Sequence, residues 1–409
     1  MSTVHPGEMP GYLVLTVLFS PTRGGTAVWF DKIYRVLGGG THIVTARVPG
    51  WEDTDCIHPL PIHRLTLERR WYLKPESLGM YLRLFSEGLR LGLRRRFHSV
   101  HAGRVLPEGL AGLAIARILR LPLLVYAHGE EITTWKQPAK RRAMQAVYLR
   151  ADAVIANSGF TRDLLLGLGV EPQRVHVVHP GVDLDVFRPG LDTRALRHRF
   201  GLDKKRLILT VGRPNLRKGF DTVIRALPAV LREIPDAHYA VVGVGENQEY
   251  LRVLSAQMAV SDHVTFVGKA SEGDLPLWYN ICDIFAMPNR KVGEDTEGFG
   301  MVFIEANACG KPVIAGIEGG TNSAVINGRT GLQVDGAKVE EVERGILAIL
   351  RNPELASRLG QAGLARARES FSWQTVAART REVLADLGAQ RPSRRSRPKG
   401  GRRRCGNLS

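Results

Sequence analysis

The chain predicts an α/β protein built from two doubly wound parallel sheets that face each other across a cleft. Three observations predict it. At 409 residues the chain exceeds one ordinary core, and two domains of about 180 residues are the natural division. Short apolar runs alternate with helical patterns, which argues for parallel sheets covered on both faces. That rhythm breaks at His179-Pro-Gly-Val-Asp-Leu-Asp-Val-Phe-Arg-Pro189, whose prolines and glycine mark a linker, and then restarts.

In the first half the expected strands are Leu13–Phe19, His42–Ala46, Ser99–His101, Leu123–Ala127, Ala153–Ala156 and Val175–Val178. Helical patterns lie between them, among them Gly25–Leu37, Leu106–Leu119 and Thr161–Leu168. In the second half the strands are Leu207–Val211, Ala240–Val242, Val264–Val267, Ile284–Met287, Pro312–Ala315 and Gly331–Val334, with a helix at Phe220–Glu233. Helical patterns at Val339–Leu350, Ala356–Glu369 and Trp373–Leu387 close the fold. The expected division is a first domain over 1–182, a second over 190–372, a terminal helix over 373–388 and a basic tail over 389–409.

Bulk properties narrow the setting. No apolar run approaches the ~20 residues that span a bilayer, and the N-terminus lacks a basic-then-apolar leader. Cys56, Cys282, Cys309 and Cys405 have no paired spacing for zinc, so a reducing cytoplasm is expected. Net charge is +17, and the tail from Arg391 holds eight cations and no acid; removing them leaves +9. Such a tail reads as a solvated extension or as a contact for nucleic acid or anionic lipid.

The most informative stretch is Glu297-Gly-Phe-Gly-Met-Val-Phe-Ile-Glu305. Gly298 and Gly300 permit close backbone approach to a ligand, and the apolar run after them opens a helix. Eight helical residues span ~12 Å, so the two carboxylates cannot share a proton as a dyad. They suit the ends of an elongated, hydroxyl-rich ligand, with an anion-favouring helix N-terminus between them. A sugar nucleotide has that order of parts.

Other candidates sit where strands end. Gly24 and Gly25 separate a strand from a helix and suit either a tight turn or a phosphate cradle. His128 follows an apolar run and precedes Gly129-Glu-Glu131, consistent with polar surface or with a cleft residue. Arg213, Arg217 and Lys218 stand together after Val211, either as a solvated loop or as the neutralising side of a diphosphate site. Gly243-Val-Gly245 ends the next strand. Asp183 and Asp185 spell Asp-x-Asp, but inside the linker, so no metal role is assigned.

These pieces together resemble the retaining GT-B glycosyltransferases of family four, the group containing phosphatidylinositol mannosyltransferases and sucrose synthases. The resemblance runs from the Gly-Gly loop to about Leu387. It is carried by Gly24-Gly25, His128-Gly129, Asn157-Ser158, Arg213 with Lys218-Gly219, Gly243-x-Gly245, and Glu297 to Glu305 followed by Ala306-Asn-Ala-Cys-Gly-Lys-Pro-Val-Ile314. It implies that Arg213 and Lys218 bind the donor diphosphate and Glu305 the ribose. Glu297 and the amides of Phe299, Gly300, Met301 and Val302 would hold sugar and phosphate, His128 the sugar near the reacting carbon, and Val267 to Lys269 the base. It also implies front-face transfer that keeps the anomeric configuration, needs no metal or other cofactor, and serves cell-envelope or polysaccharide synthesis. The expected partners are a nucleotide-diphosphate sugar and a lipid-linked or glycan acceptor, with no specific nucleic acid.

Two departures stand out. The loop Gly319-Gly-Thr-Asn-Ser323 carries serine where the family usually has an acid, and Ser323 can cap the following helix. His101-Ala-Gly103 stands where many members have a second histidine. Residues Leu78 to Phe97 carry an apolar stripe at Leu78, Leu82, Phe85, Leu89, Leu93 and Phe97, flanked by Arg83, Arg90 and Arg94. Core packing would explain it, but in lipid-glycosylating relatives such a helix lies on the bilayer. Peripheral contact with anionic lipid on the inner membrane face is therefore expected from this helix and the basic tail. Competing readings are a GT-B nucleotide-sugar 2-epimerase and, from another class, a basic nucleic-acid-binding protein.

Overall fold

The computed structural model describes residues 11–22, 24–68 and 76–389. The basic tail beyond 389, and Arg23 of the first glycine loop, lie outside the described residues. Two all-parallel sheets form. The first contains β1 (Tyr12–Leu15), β2 (His42–Ala46), β3 (Ile62–Leu65), β4 (Ser99–Ala102), β5 (Leu123–Ala127), β6 (Ala153–Ala156) and β7 (Val175–Val177) in the order β3-β2-β1-β4-β5-β6-β7. The second contains β8 (Arg206–Val211), β9 (Ala237–Val242), β10 (Val264–Gly268), β11 (Ile284–Met287), β12 (Val313–Gly316) and β13 (Leu332–Val334), ordered β10-β9-β8-β11-β12-β13. Parallel pairing explains their run-on hydrophobicity: β1, β2, β4, β5 and β6 are buried along their whole length.

Each sheet reverses its winding once, between β1 and β4 in the first and between β8 and β11 in the second. Ligands of open α/β sheets bind outside the carboxyl ends of strands at such a switch point. The loops that matter are therefore those after β1 and β4, and those after β8 and β11.

Several expected elements differ in detail. The first strand stops at Leu15 rather than Phe19: Thr16 still donates its amide to Val44 O at 3.0 Å, but the Val17 amide turns away to the Glu108 carboxylate. The pattern Leu106–Leu119 becomes a regular α-helix only from Leu110; Val105–Gly109 is a wider turn in which Leu106 is extended. The strand Ile62–Leu65 was not expected, since Ile-His-Arg-Leu offers two polar residues in four. It sits at the sheet edge, where Arg64 is buried and paired with Asp55 at 2.7 Å.

The last helix, Trp373–Ala389, returns to the first sheet. Trp373, Val376, Ala377, Val383 and Leu387 are buried in one cluster with Trp29, Phe30 and Tyr34 of the Gly25–Leu37 helix. Gly181 in the linker is held to glycine by the Trp373 ring, which a Cβ would meet at 2.7 Å. The linker is also tied down by Lys32, whose Nζ lies 2.7 Å from Asp183 Oδ2, while Asp183 Oδ1 accepts the amides of Asp185 and Val186. Both Asp183 oxygens are thereby engaged. Among the described residues no helix is long and apolar enough to cross a membrane.

The Leu78–Arg94 helix packs differently from its stripe. Its buried positions are Met80, Leu84, Gly88 and Leu91. Gly88 lets the helix pack closely, since a Cβ there would meet Ile115 Cδ1 at 2.6 Å and displace that side chain. The stripe Leu78, Leu82, Phe85, Leu89, Leu93 is left at the surface side, with Leu82 59% and Leu93 71% exposed and Phe85 and Leu89 half-buried. Core packing accounts for part of it: Phe97, beyond the helix, is in the core, and Phe85 and Leu89 pack against its edge, while Leu82 and Leu93 stay exposed.

Candidate active site

Glu297 lies in the loop after β11, at the switch point of the second sheet. Two cations from the loop after β8 reach one of its oxygens: Arg217 Nη1 at 2.8 Å and Lys218 Nζ at 3.4 Å from Oε2. Asn215 makes this possible by accepting the Lys218 amide in a tight turn, after which Gly219 adopts φ 74° and launches the Phe220–Glu233 helix. Gly219 cannot be replaced, since its Cβ would meet Pro288 O at 2.2 Å. Burial pushes the Glu297 carboxyl up, but Lys218 and Arg217 more than offset that and hold it below the ordinary range. Arg217 also pairs with Asp295 at 3.1 Å, so one guanidinium orients two carboxylates.

Glu305 is one turn inside the Met301–Ala308 helix, separated from Glu297 by the glycine loop. The Tyr279 hydroxyl donates to its Oε2 at 2.6 Å. Here burial wins, and the Glu305 carboxyl is raised despite Tyr279 and Lys218. The two carboxyls thus differ in environment as well as place: one is paired with two cations and lowered, the other is desolvated and raised. Gly300 caps this helix in a left-handed conformation, φ 86°. Phe299 is buried, stacked on His179 at 5.2 Å, while Met301 and Val302 are half-buried on the first turn.

The first sheet meets this loop directly. A Cβ on Gly298 would lie 2.4 Å from the His128 carbonyl oxygen and 3.0 Å from Asn157 Nδ2. His128 follows β5 and is oriented from two sides: its Nε2 is 2.9 Å from Gly103 O, and its amide donates to Glu131 Oε1 at 3.0 Å. Burial lowers its pKa, which favours the neutral ring. Gly25 faces the same helix start, with its Cβ position 2.9 Å from Met301 Sδ. The structure thus brings Gly25, His128, Gly298, Met301, Glu297 and Lys218 to one place.

Other expected residues have different neighbours. Arg213 is exposed, with no hydrogen bond or ion pair among the described residues. Gly243 and Gly245 are glycine because of the adjacent loop: their Cβ positions fall 1.9 Å from Gly212 O and 2.8 Å from Pro214 O. Gly243 also donates its amide to Gly268 O at 2.7 Å, aligning the ends of β9 and β10. Val267 is half-buried in β10 and Lys269 is exposed just past it.

Residues 192–366 match the model of glycosyl transferases group 1, and residues 23–186 match that of glycosyltransferase family 4. A GDP-mannose-dependent α-(1-6)-phosphatidylinositol monomannoside mannosyltransferase of Mycolicibacterium smegmatis is 32% identical over 379 residues, covering 91% of this chain and 98% of its own. The chain belongs to this glycosyltransferase family.

A second relative of the glycosyltransferase is a D-inositol 3-phosphate glycosyltransferase of Streptomyces bingchenggensis, 32% identical over 348 residues, 80% of this chain and 75% of its own. Among solved structures, Anabaena HepE in complex with UDP and glucose superimposes with a TM-score of 0.79 at 20% identity, covering 92% of this chain and all of that one. A sucrose-phosphate synthase from Thermosynechococcus elongatus gives 0.73 at 23% identity, over 93% and 99% of the two chains. These two share the two-sheet GT-B fold. The chain is a hexosyltransferase acting on nucleotide sugars.

Three further residues of the glycosyltransferase stand out in the folded chain. Arg217, visible in the sequence only as part of a basic loop, is the nearer partner of Glu297. Ser323 does not cap the helix after it: it lies within the short Thr321–Ala324 helix, and its Oγ accepts the Gly159 amide at 3.1 Å, across the cleft. His101 is fully buried, between Tyr34 Oη at 2.7 Å and Ser99 Oγ at 2.8 Å, and contributes to the core beneath the cleft. Among the described residues no group of three His, Cys, Asp or Glu stands together as a metal site.

Proposed function

We propose that this glycosyltransferase moves mannose from GDP-mannose to a phosphatidylinositol-type glycolipid, with retention of configuration and without a metal. The observation that carries the reading is the Glu297 carboxylate held between Arg217 and Lys218 at the switch point of the second sheet. Support for the donor and acceptor comes from full-length relatives whose names specify GDP-mannose and phosphatidylinositol mannoside.

In this reading Lys218 and Arg213 hold the diphosphate and stabilise it as it departs. Glu297 and the amides of Phe299 to Val302 hold the sugar and its phosphate, at a helix start that favours an anion. Glu305 accepts from the ribose, Val267 and Lys269 border the base, and Gly24-Gly25 lines the acceptor side. The bond from the anomeric carbon to the phosphate oxygen breaks as the acceptor oxygen bonds on the same face. The acceptor proton passes to the departing phosphate, so no protein base is needed. His128, kept neutral by burial, positions the sugar.

The exposed stripe and the exposed Arg90, Arg94, Arg95 and Arg96 form an amphipathic basic face, which supports peripheral contact with anionic lipid. The test of function is transfer and hydrolysis screened across GDP-, UDP-, ADP- and dTDP-sugars, with phosphatidylinositol vesicles as acceptor. GDP-mannose should give the highest kcat/KM and an α-linked product. A β-linked product refutes retention, and a release of epimerised free sugar without transfer restores the epimerase alternative.

A further inference from the structure

The first sheet has its own switch point, between β1 and β4, and it is lined by groups that the donor site does not use. After β1, the Val17 amide donates to Glu108 Oε1 at 2.9 Å, so Glu108 spans the crevice from the turn that follows β4. Glu108 is fully buried, and its other oxygen has no partner. Arg104, four residues earlier, is half-buried with its Nε enclosed and unpartnered. Its guanidinium makes no hydrogen bond or ion pair among the described residues. Gly103, between β4 and Arg104, receives His128 Nε2, which places Arg104 beside the residue that touches the donor loop.

An enclosed guanidinium nitrogen without a hydrogen-bond partner is costly, and buried polar groups in folded proteins are otherwise nearly all satisfied. Surface arginines are solvated at no such cost, but this one has already lost water at Nε. Glu108 is near enough for the two charges to interact, but neither carboxylate oxygen comes within 4 Å of an Arg104 nitrogen, so the two form no ion pair. The planar, permanently charged fork suits a phosphate oxygen pair better than a hydroxyl.

We propose that Arg104 recognises a phosphate ester on the acceptor, and that Glu108 is a positioning residue that fixes the crevice through Val17. This rests on the glycosyl-transfer reading above and adds the residue of this chain that would recognise the phosphate of such an acceptor. That phosphate can belong to a lipid headgroup diester or to a free polyol monoester; both present the same oxyanion.

The test compares Arg104→Gln and Arg104→Lys with the wild type. Acceptors are D-inositol 3-phosphate, unphosphorylated myo-inositol, and phosphatidylinositol in phosphatidylcholine vesicles. The expected result is a ratio of KM between phosphate-bearing and neutral acceptors that shifts by about 10- to 100-fold in Arg104→Gln, the loss of one charge-assisted contact. Arg104→Lys should recover part of it. A shift on both phosphate acceptors assigns the shared phosphate; a shift on vesicles alone assigns the lipid diester, and on the soluble compound alone the monoester. An unchanged ratio overturns the inference. Failure of the wild type to transfer or hydrolyse any donor sinks the functional reading instead. Calorimetric binding of D-inositol 3-phosphate needs no turnover: a weakened affinity in Arg104→Gln supports the assignment, and equal affinity together with an unshifted vesicle acceptor overturns it.

Discussion

Lys218 and Arg217 converge on a single oxygen of Glu297, so the chemistry of that carboxyl is set by its neighbours. As a preorganised cation at a departing diphosphate, Lys218 carries a transition-state role, and Lys218→Ala should cut kcat by roughly 10²-fold or more. Wild-type turnover from that variant would remove Lys218 from the site. Arg217 acts through Glu297 and Asp295, and its loss should show in pH dependence. The folded carboxyl is lowered, so its pairing adds stability above the ordinary carboxylate pKa, and that stability is lost as pH falls through the folded value. Arg217→Gln removes one of the two cations opposing burial. Its acid limb, in both kcat/KM and thermal midpoint measured over ~pH 3 to 7, should move to higher pH. A superimposable profile would show that Lys218 alone sets the carboxyl.

The elements divide into those legible from sequence and those visible only once packed. Gly25–Leu37, Phe220–Glu233 and Val339–Leu350 are clean amphipathic patterns, and the folded helices have those same bounds. The edge strand Ile62–Leu65 was illegible because its burial depends on Arg64 finding Asp55, not on hydrophobicity. Arg217 was legible as part of a candidate cationic loop, but its pairing with Glu297, the Ser323 contact with Gly159 and the position of Arg104 were not, because each depends on groups far off in the chain. The Leu78–Arg94 helix shows the limit of periodicity. It has two apolar faces, and period alone does not say which one the core takes. Its outward face yields a prediction at this scale. Wild-type protein should float with vesicles containing acidic lipid, and Leu82→Glu/Leu93→Glu should not, while both melt alike. Flotation of neither protein with any vesicle would remove the membrane contact.

At the scale of the molecule, both sheets depend on contacts that cross between them. Gly298→Ala should leave the second sheet folded and able to bind nucleotide, yet press a methyl against the His128 carbonyl. Turnover should fall by ~10-fold or more, since small misplacements at a reacting centre are expensive, and small-angle scattering should report a more open particle. Normal turnover would mean that the loop gives way freely. The terminal helix is the second crossing. Val383→Asp places a charge in the cluster around Trp29 and Tyr34 and should lower stability by about 3 kcal/mol or more, read as denaturant midpoint. A midpoint within experimental scatter of wild type would show that the helix is dispensable to the first sheet.

The close approach of Gly298 to His128 has a consequence for recombination among relatives. The sugar loop of one half is shaped against a carbonyl of the other, and Ser323 adds a second contact of the same kind with Gly159. Hybrid enzymes that take one half from this chain and one from a homologue would therefore inherit a mismatched seam, however well each half folds. Donor preference would transfer cleanly only if the segments around 128, 159, 298 and 323 travelled together as a set.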